Sequence, residues 1–265
     1  MAEMIHAPST AFGPALLARV EEAGINASAP PQQRLVDGWL VRFCPGKAKR
    51  ARCVNAISAG ILPIEDKLAM CQQVFDAAGL PMFIRITPFS EPRGLGAELD
   101  RLGFARIDDT RVMVCADISH LDPTPLPSRV SAHHVGHDAF AQTVGALRGS
   151  SIAQRQAHAE RLANSPVHFS ALVIKRDGEI VACGQYAVEG ALVGLYDVFT
   201  APAARGQGLA GMLCRQLLAD AAARGARAAY LQVESDNSPA RAVYQRLGFS
   251  DAYAYHYRAP DPNAV

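Results

Sequence analysis

Val198-Phe-Thr-Ala-Pro-Ala-Ala-Arg205-Gly206-Gln207-Gly208-Leu209-Ala210 carries strand-like sequence into a glycine-rich loop and on into a helical run. Closely spaced glycines let backbone N–H groups approach an anion, and a helix N-terminus adds unpaired donors and a favourable dipole. Arg205 can add a charged donor to a phosphate. Taken alone, the loop is equally open to reading as a glycine-rich turn with a solvated arginine. Gly206, Gly208 and Gly211 also match the dinucleotide fingerprint G-x-G-x-x-G, with Glu234 following 23 residues after Gly211 (234 − 211). Placement argues against that fingerprint. Its first glycine should follow the first strand directly, whereas Ala201 to Arg205 intervene here, Pro202 among them. After Glu234 the chain also has 31 residues left (265 − 234), too few for the rest of a doubly wound sheet. No Lys-Ser or Lys-Thr follows the glycines, so the Walker A pattern fails as well.

Outward from the loop the second half reads clearly. Leu209 to Arg224 predicts a helix ending at Gly225, with Leu209, Met212, Leu213, Leu217 and Ala221 on one side. Ala228 to Val233 predicts a strand, and Ser238-Pro239 predicts a capped helix start with proline at the first helical position. Gly248 ends that helix, and Phe249 to Arg258 predicts one or two closing strands. Upstream, Leu192 to Phe199 is a strand, and His168 to Lys175 with Ile180 to Val188 flank the turn Arg176-Asp177-Gly178-Glu179. Further back, helical sequence is broken by Gly136, Gly145 and Gly149, which leaves its limits open.

Leu121-Asp-Pro-Thr-Pro-Leu-Pro127 has three prolines in seven residues and cannot sit inside a helix or central strand. It predicts a division into domains 1–122 and 128–265, with 123–127 as the linker. In the first half, Phe12 to Ala23 predicts a helix stopped by Gly24, and Trp39 to Phe43 a strand. Pro45-Gly46 is a turn, and Arg52 to Ile57 the returning strand. Ile64 to Ala78 is a helix stopped by Gly79, and Phe83 to Thr87 a strand. A short helix from Leu95 to Leu102 closes at Gly103, and Thr110 to Ala116 is strand-like. Leu99-Asp-Arg-Leu-Gly-Phe104 matches Tyr244-Gln-Arg-Leu-Gly-Phe249, 145 residues later (249 − 104). Four shared residues are compatible with coincidence, and a helix ending at glycine before a strand in both places points to two related domains.

Composition excludes several classes. A hydrophobic fraction of 49% with 19% charged residues describes an ordinary globular chain, and a net charge of +1 gives no reason to expect nucleic acid or an anionic membrane as partner. No apolar run reaches the roughly 18 residues of a membrane span, and Met1 to Thr10 does not read as a secretory signal. The six cysteines (Cys44, Cys53, Cys71, Cys115, Cys183, Cys214) lack CxxC spacing and suit buried thiols in a reducing compartment, so a cytoplasmic location is expected. His133, His134 and His137 have ligand-like spacing without a completing cysteine or carboxylate set, and no metal is expected. Arg34 to Arg52 carries six basic residues against Asp37, which suits a solvated hairpin or an acidic or RNA partner. Trp39 suits either hairpin packing or an inter-domain pocket.

The stretch from Val198 to Ala210, with its R-x-x-G-x-G/A loop, resembles the GNAT superfamily of N-acetyltransferases. Tyr230-Leu-Gln-Val-Glu-Ser-Asp-Asn-Ser-Pro-Ala-Arg-Ala-Val-Tyr-Gln-Arg-Leu-Gly-Phe249 is similar to that family's later strand, asparagine-bearing loop and tyrosine-bearing helix. The two blocks stand in the family's order, and the resemblance covers about Phe169 to Arg258. It implies an α/β (α+β) fold of two GNAT-like domains, each a mixed, largely antiparallel twisted sheet flanked by helices. The first domain would be a degenerate copy without a loop of its own, so a single cofactor site is implied.

The resemblance also implies acetyl-CoA as acyl donor. Arg205, Gly206, Gln207, Gly208, Leu209 and Ala210 would hold its pyrophosphate, and Val198, Phe199 and Thr200 would pair with the pantetheine arm. The Val198 amide would stabilise the oxyanion. Asn237 would contact the cofactor, or else serve only as an Asx turn or cap. Tyr244 would protonate the departing thiolate, its alternative being a core tyrosine at helical spacing with Ala240, Val243 and Leu247. Glu234 would take a proton from the acceptor ammonium, or merely bind water; Asp197 and His256 are weaker candidates. The implied reaction is direct attack of a primary amine of a small molecule or peptide, by a monomer or homodimer. A non-catalytic acyl-CoA sensor or protein-interaction module is the alternative.

Overall fold

A computed structural model describes residues 8–45, 48–123 and 125–261. Most of Met1 to Thr10, Gly46 of the Pro45-Gly46 turn and Thr124 of the proline-rich linker therefore lie outside the described residues. The helices are α1 (Pro14–Ala27), α2 (Ile64–Ala78), α3 (Leu95–Arg101), α4 (His137–Leu147), α5 (Ile152–Ala163), α6 (Leu209–Ala223) and α7 (Ser238–Arg246). The first-half strands are β1 (Gln33–Val36), β2 (Trp39–Arg42), β3 (Val54–Asn55), β4 (Ile84–Ile86) and β5 (Ala105–Cys115). The remainder are β6 (Val130–Val135), β7 (Phe169–Arg176), β8 (Glu179–Glu189), β9 (Leu192–Thr200), β10 (Ala228–Glu234) and β11 (Ser250–Ala259).

All eleven strands join one mixed sheet in the order β1-β2-β3-β4-β11-β5-β10-β9-β8-β7-β6. Only β3 with β4 and β9 with β10 pair in parallel; the other neighbours are antiparallel. The terminal strand of each half crosses into the other. β5 lies between β10 and β11, while β11 lies between β4 and β5. Thr110 of β5 pairs with Tyr255 of β11, positions 145 apart (255 − 110), the offset that separates the two Arg-Leu-Gly-Phe segments. Helices α2 and α6 repeat the same offset at both ends (209 − 64 and 223 − 78). The two halves thus meet about an approximate twofold running between Thr110 and Tyr255.

Several expected boundaries shift for physical reasons. Gly24 does not stop α1 but lies inside it, where a Cβ would come within 2.9 Å of Gln232 Nε2; glycine there permits close approach to β10. The expected return strand Arg52 to Ile57 shrinks to Val54–Asn55, because Lys49–Ala51 coil into one 3-10 turn. Strand β5 begins earlier than Thr110 because it pairs along nearly the whole of β11. The closing segment is one strand, and the α7 cap is Asn237 rather than Ser238. Helix α2 and its Gly79 stop, with φ 64°, match the sequence reading.

The basic stretch 34–52 is not a solvated hairpin. Arg42 is buried and donates to the Ile25 carbonyl, Lys49 pairs with Asp108, and Arg50 reaches β10. Trp39 is fully buried in the first-half core, donates its indole N–H to the Glu91 carbonyl, and lies 4.5 Å beneath the Lys67 ammonium. All six cysteines are free and buried. Among the described residues, no helix is long and apolar enough to cross a membrane.

Candidate active site

Strands β9 and β10 stay paired only from Leu192–Ala228 to Leu195–Leu231, then part. β9 continues along β8 to Thr200, and β10 continues along β5 to Glu234. The resulting wedge is deepened by a bulge in β9. Pairing passes from Gln185–Tyr196 to Cys183–Phe199, so Asp197 and Val198 together oppose Gly184. Asp197 takes a left-handed backbone (φ 52°), which aspartate tolerates better than most residues. Val198 packs with the α6 core, whereas Phe199 and Tyr196 pack on the opposite face with α1 and α4.

At the wider end of the wedge, Gly206 (φ 74°) and Gly208 (φ 76°) turn the chain into α6. Among the described residues no hydrogen bond occupies the amides of Gly206 to Ala210, and nothing lies within 4 Å of a Cβ built on Gly206. Open space and unpaired donors at the start of a 15-residue helix fit an anion such as a pyrophosphate. Arg205 donates to the Thr200 carbonyl, and its guanidinium lies 5.7 Å from the Phe199 ring centre. Gln207 accepts from Arg176.

The first half offers an instructive contrast. Ile61 and Leu62 precede α2 at the positions that Gly206 and Gln207 hold before α6 (61 + 145 and 62 + 145). Their amides are taken: both donate to the Asp37 carboxylate, at 3.0 and 2.9 Å. Lys67, fully buried, lies 3.4 Å from the same carboxylate. These backbone hydrogen bonds hold the Asp37 carboxyl below its usual range.

Tyr244 is buried on α7 against Phe249, ring centres 6.2 Å apart, in the core that also holds Cys214. Burial pushes its phenol above the ordinary range, so it keeps its proton at neutral pH. Asn237 caps α7, its side-chain oxygen accepting from the Ala240 amide at 3.2 Å, which is the capping role left open by sequence. Glu234 stands exposed at the end of β10. Asp197 is fully engaged: Arg148 donates at 2.7 Å, Gln185 at 2.8 Å, and His158 lies 3.4 Å away. Burial pushes its carboxyl up, but His158, Arg148 and Arg161 outweigh it and hold the group well below the usual carboxylate range. It is therefore a poor base. His256 lies on β11 opposite Ile86 and Asp109, separated from β9 by two strands. The three early histidines disperse: His133 to Ser131, His134 towards Asp220, His137 to the Phe169 carbonyl.

Sequence reading missed the polar floor on the α1/α4/α5 face of the wedge. Arg50 donates to Gln232 Oε1 at 2.9 Å, Tyr196 and Tyr230 share a 2.5 Å hydroxyl contact, and Arg161 donates to the Ala27 carbonyl at 3.3 Å. These residues come from separate elements and form no local pattern. The one available signal was the excess of arginine between 34 and 52.

Residues 141–249 match the acetyltransferase (GNAT) family. Over 232 residues the chain is 26% identical to the uncharacterized N-acetyltransferase YobR of Bacillus subtilis (strain 168), covering 85% of this chain and 91% of that protein. A GCN5-related N-acetyltransferase from Kribbella flavida superposes with a TM-score of 0.65 at 18% identity, over 94% of this chain and 95% of the other. A tandem GNAT protein from the clavulanic acid biosynthesis pathway gives 0.59 at 16% identity, over 75% and 70%. The chain has the GNAT acetyltransferase fold, with a largely antiparallel twisted sheet flanked by helices as in tandem members. The match over residues 141–249 supports acetyl-CoA-dependent acetyl transfer in general.

Proposed function

We propose that the protein transfers acetyl from acetyl-CoA to a primary amine by direct attack. The observation that carries this is the row of unpaired amides from Gly206 to Ala210 at the head of α6, beside the parting of β9 and β10. These amides with Arg205 would hold the pyrophosphate. Val198, Phe199 and Thr200 would align the pantetheine arm, and the Val198 amide would receive the charge that develops on the thioester oxygen. Asn237, exposed at the head of α7, would contact the cofactor with its side-chain nitrogen. Tyr244 would deliver a proton to the leaving thiolate, a role suited to a phenol that stays protonated. Glu234 would accept the ammonium proton, directly or through water.

We read residues 1–122 and 128–265 as two related units, of which only the second binds the donor. The Asp37 carboxylate on the Ile61 and Leu62 amides supports this, since it occupies in the first unit what the donor anion would occupy in the second. Labelled acetyl-CoA incubated with pooled amines, amino acids, polyamines and peptides tests the enzyme reading, alongside calorimetry with CoA. Tight CoA binding with no transfer to any pool would favour the sensor alternative; no CoA binding would remove the donor assignment itself.

A further inference from the structure

Val198, whose amide the acetyltransferase reading assigns to the thioester oxygen, sits in the β9 bulge, where regular strand pairing does not set the direction of the backbone. Gln185 faces Tyr196 and Cys183 faces Phe199, so Asp197 and Val198 together span the single Gly184. Asp197 holds a left-handed φ of 52°, which a residue other than glycine keeps only when its surroundings enforce it. The enforcement comes from three elements. Arg148, directly after α4, donates to one carboxylate oxygen of Asp197 at 2.7 Å. Gln185 of β8, fully buried, donates to the other oxygen at 2.8 Å, and His158 of α5 stands 3.4 Å from that same atom. The Arg148 guanidinium also lies 5.5 Å from the Phe199 ring centre, so one side chain holds both chain neighbours of Val198. On the opposite face Val198 seats against α6 beside Gly184. A Cβ on Gly184 would come within 3.3 Å of Val198 Cγ2 and 3.1 Å of Leu217 Cδ1, so glycine there makes room for the bulge. The Asp197–Val198 peptide is thus clamped from both faces of the sheet.

Resting on the acetyltransferase reading, we infer that Asp197 is a positioning residue. Its carboxylate, held by Arg148, Gln185 and His158, fixes the peptide that carries the Val198 amide and so sets the direction in which that amide donates. Asp197 acts through the backbone and takes no proton from the acceptor. Its ionised oxygens make these charge-assisted bonds, stronger than neutral ones. Oxyanion stabilisation is steep in geometry, and a misplacement of about 1 Å costs on the order of 100-fold in rate. Two of the three groups around the carboxylate belong to α4 and α5, so the placement of that helix pair and the direction of the amide are tied together.

The test uses the full chain, its Asp197→Gly, Arg148→Met and Arg148→Lys variants, and acetyl-CoA isotopically labelled at the carbonyl carbon. Glycine suits the φ of 52°, so Asp197→Gly removes the clamp without straining the backbone. In the unaltered protein a hydrogen bond to the thioester oxygen should move the bound carbonyl resonance downfield of free acetyl-CoA. In Asp197→Gly and Arg148→Met that resonance should return towards the free position. Their kcat with the pooled amines should fall roughly 10- to 100-fold, while KM for acetyl-CoA and calorimetric CoA affinity hold. Arg148→Lys keeps a cation without the planar fork and should recover part of both the shift and kcat. A merely structural role would lower the urea midpoint and leave the bound carbonyl where it is. Unchanged kcat and carbonyl shift in Asp197→Gly would overturn the inference and leave the donor reading intact. A bound carbonyl indistinguishable from the free one in the unaltered protein would overturn the Val198 role and the inference together. Absence of CoA binding would strike the donor reading itself, and the inference with it.

Discussion

Gly208→Ala and Gly225→Ala impose the same backbone strain at opposite ends of α6, yet they should differ sharply in cofactor binding. Gly208 has φ 76° and Gly225 φ 101°, both left-handed, so each new Cβ costs about 1–2 kcal/mol of folding free energy. Space is not the issue. A Cβ on Gly208 meets only Met212 Cε, at 3.6 Å, and one on Gly225 meets nothing within 4 Å. Gly206→Ala belongs with Gly208→Ala, since its φ is 74° and its Cβ points into the open space above the loop. All three variants should lose stability similarly, about 2–4 °C in Tm per kcal/mol for a chain of this size. Only the loop variants tilt amides that would face the pyrophosphate. Losing one charge-assisted hydrogen bond there costs about 1.5–3 kcal/mol, or roughly 10- to 100-fold in Kd for CoA. Urea unfolding would establish the matched destabilisation, and calorimetric titration with CoA would read the affinities. If Gly206→Ala and Gly208→Ala bind CoA as tightly as Gly225→Ala does, the cradle assignment is wrong.

Tyr244→Phe keeps the packing against Phe249 and should lower kcat roughly 100-fold with little change in CoA affinity; an unchanged kcat removes Tyr244 from the proton-donor role. His256, 3% exposed, has its pKa pushed down from 6.5 to about 3 by burial, with Arg106 and Arg258 adding to the effect. It stays neutral in the fold while the unfolded chain protonates, so its contribution is intact above about pH 6.5 and fades as pH falls towards 3. Between pH 7 and 5 this amounts to about 2 kcal/mol. Urea unfolding of His256→Gln should show a shallower loss over that interval, and an identical slope would refute the assignment. Asp37→Ala strips the carboxylate from the fully buried Lys67 and from the Ile61 and Leu62 amides, and should lower stability. Asp37→Asn, which keeps an acceptor and tolerates the φ of 40°, should cost less. Equal stability of the two variants in chemical denaturation would contradict that account.

The glycine-rich loop was legible in sequence because its chemistry is local. Glycines that must adopt positive φ, a helix start without side-chain caps and a strand running into them all lie within Val198 to Ala210. The same holds for α2, α6 and α7, whose apolar spacing and glycine or proline punctuation are read within one segment. The Arg-Leu-Gly-Phe repeat foretold that two similar helix-to-strand units exist, and the 145-residue offset recurs in α2, α6 and the β5–β11 pairing.

Only the tertiary structure decided which strand lies beside which. Ladder hydrogen bonds are chemically alike in every strand, so β5 carries no local mark of insertion between β10 and β11. The bulge at Asp197 was invisible for a related reason: it depends on the register against β8 and needs no glycine of its own. Arg50 becomes part of the wedge because strand exchange brings the first half against β10, where its guanidinium meets Gln232 182 residues away. Sequence thus marked the glycine-rich loop ahead of α6 through local backbone chemistry. The polar floor of the wedge is built from groups that meet only after the sheet has closed.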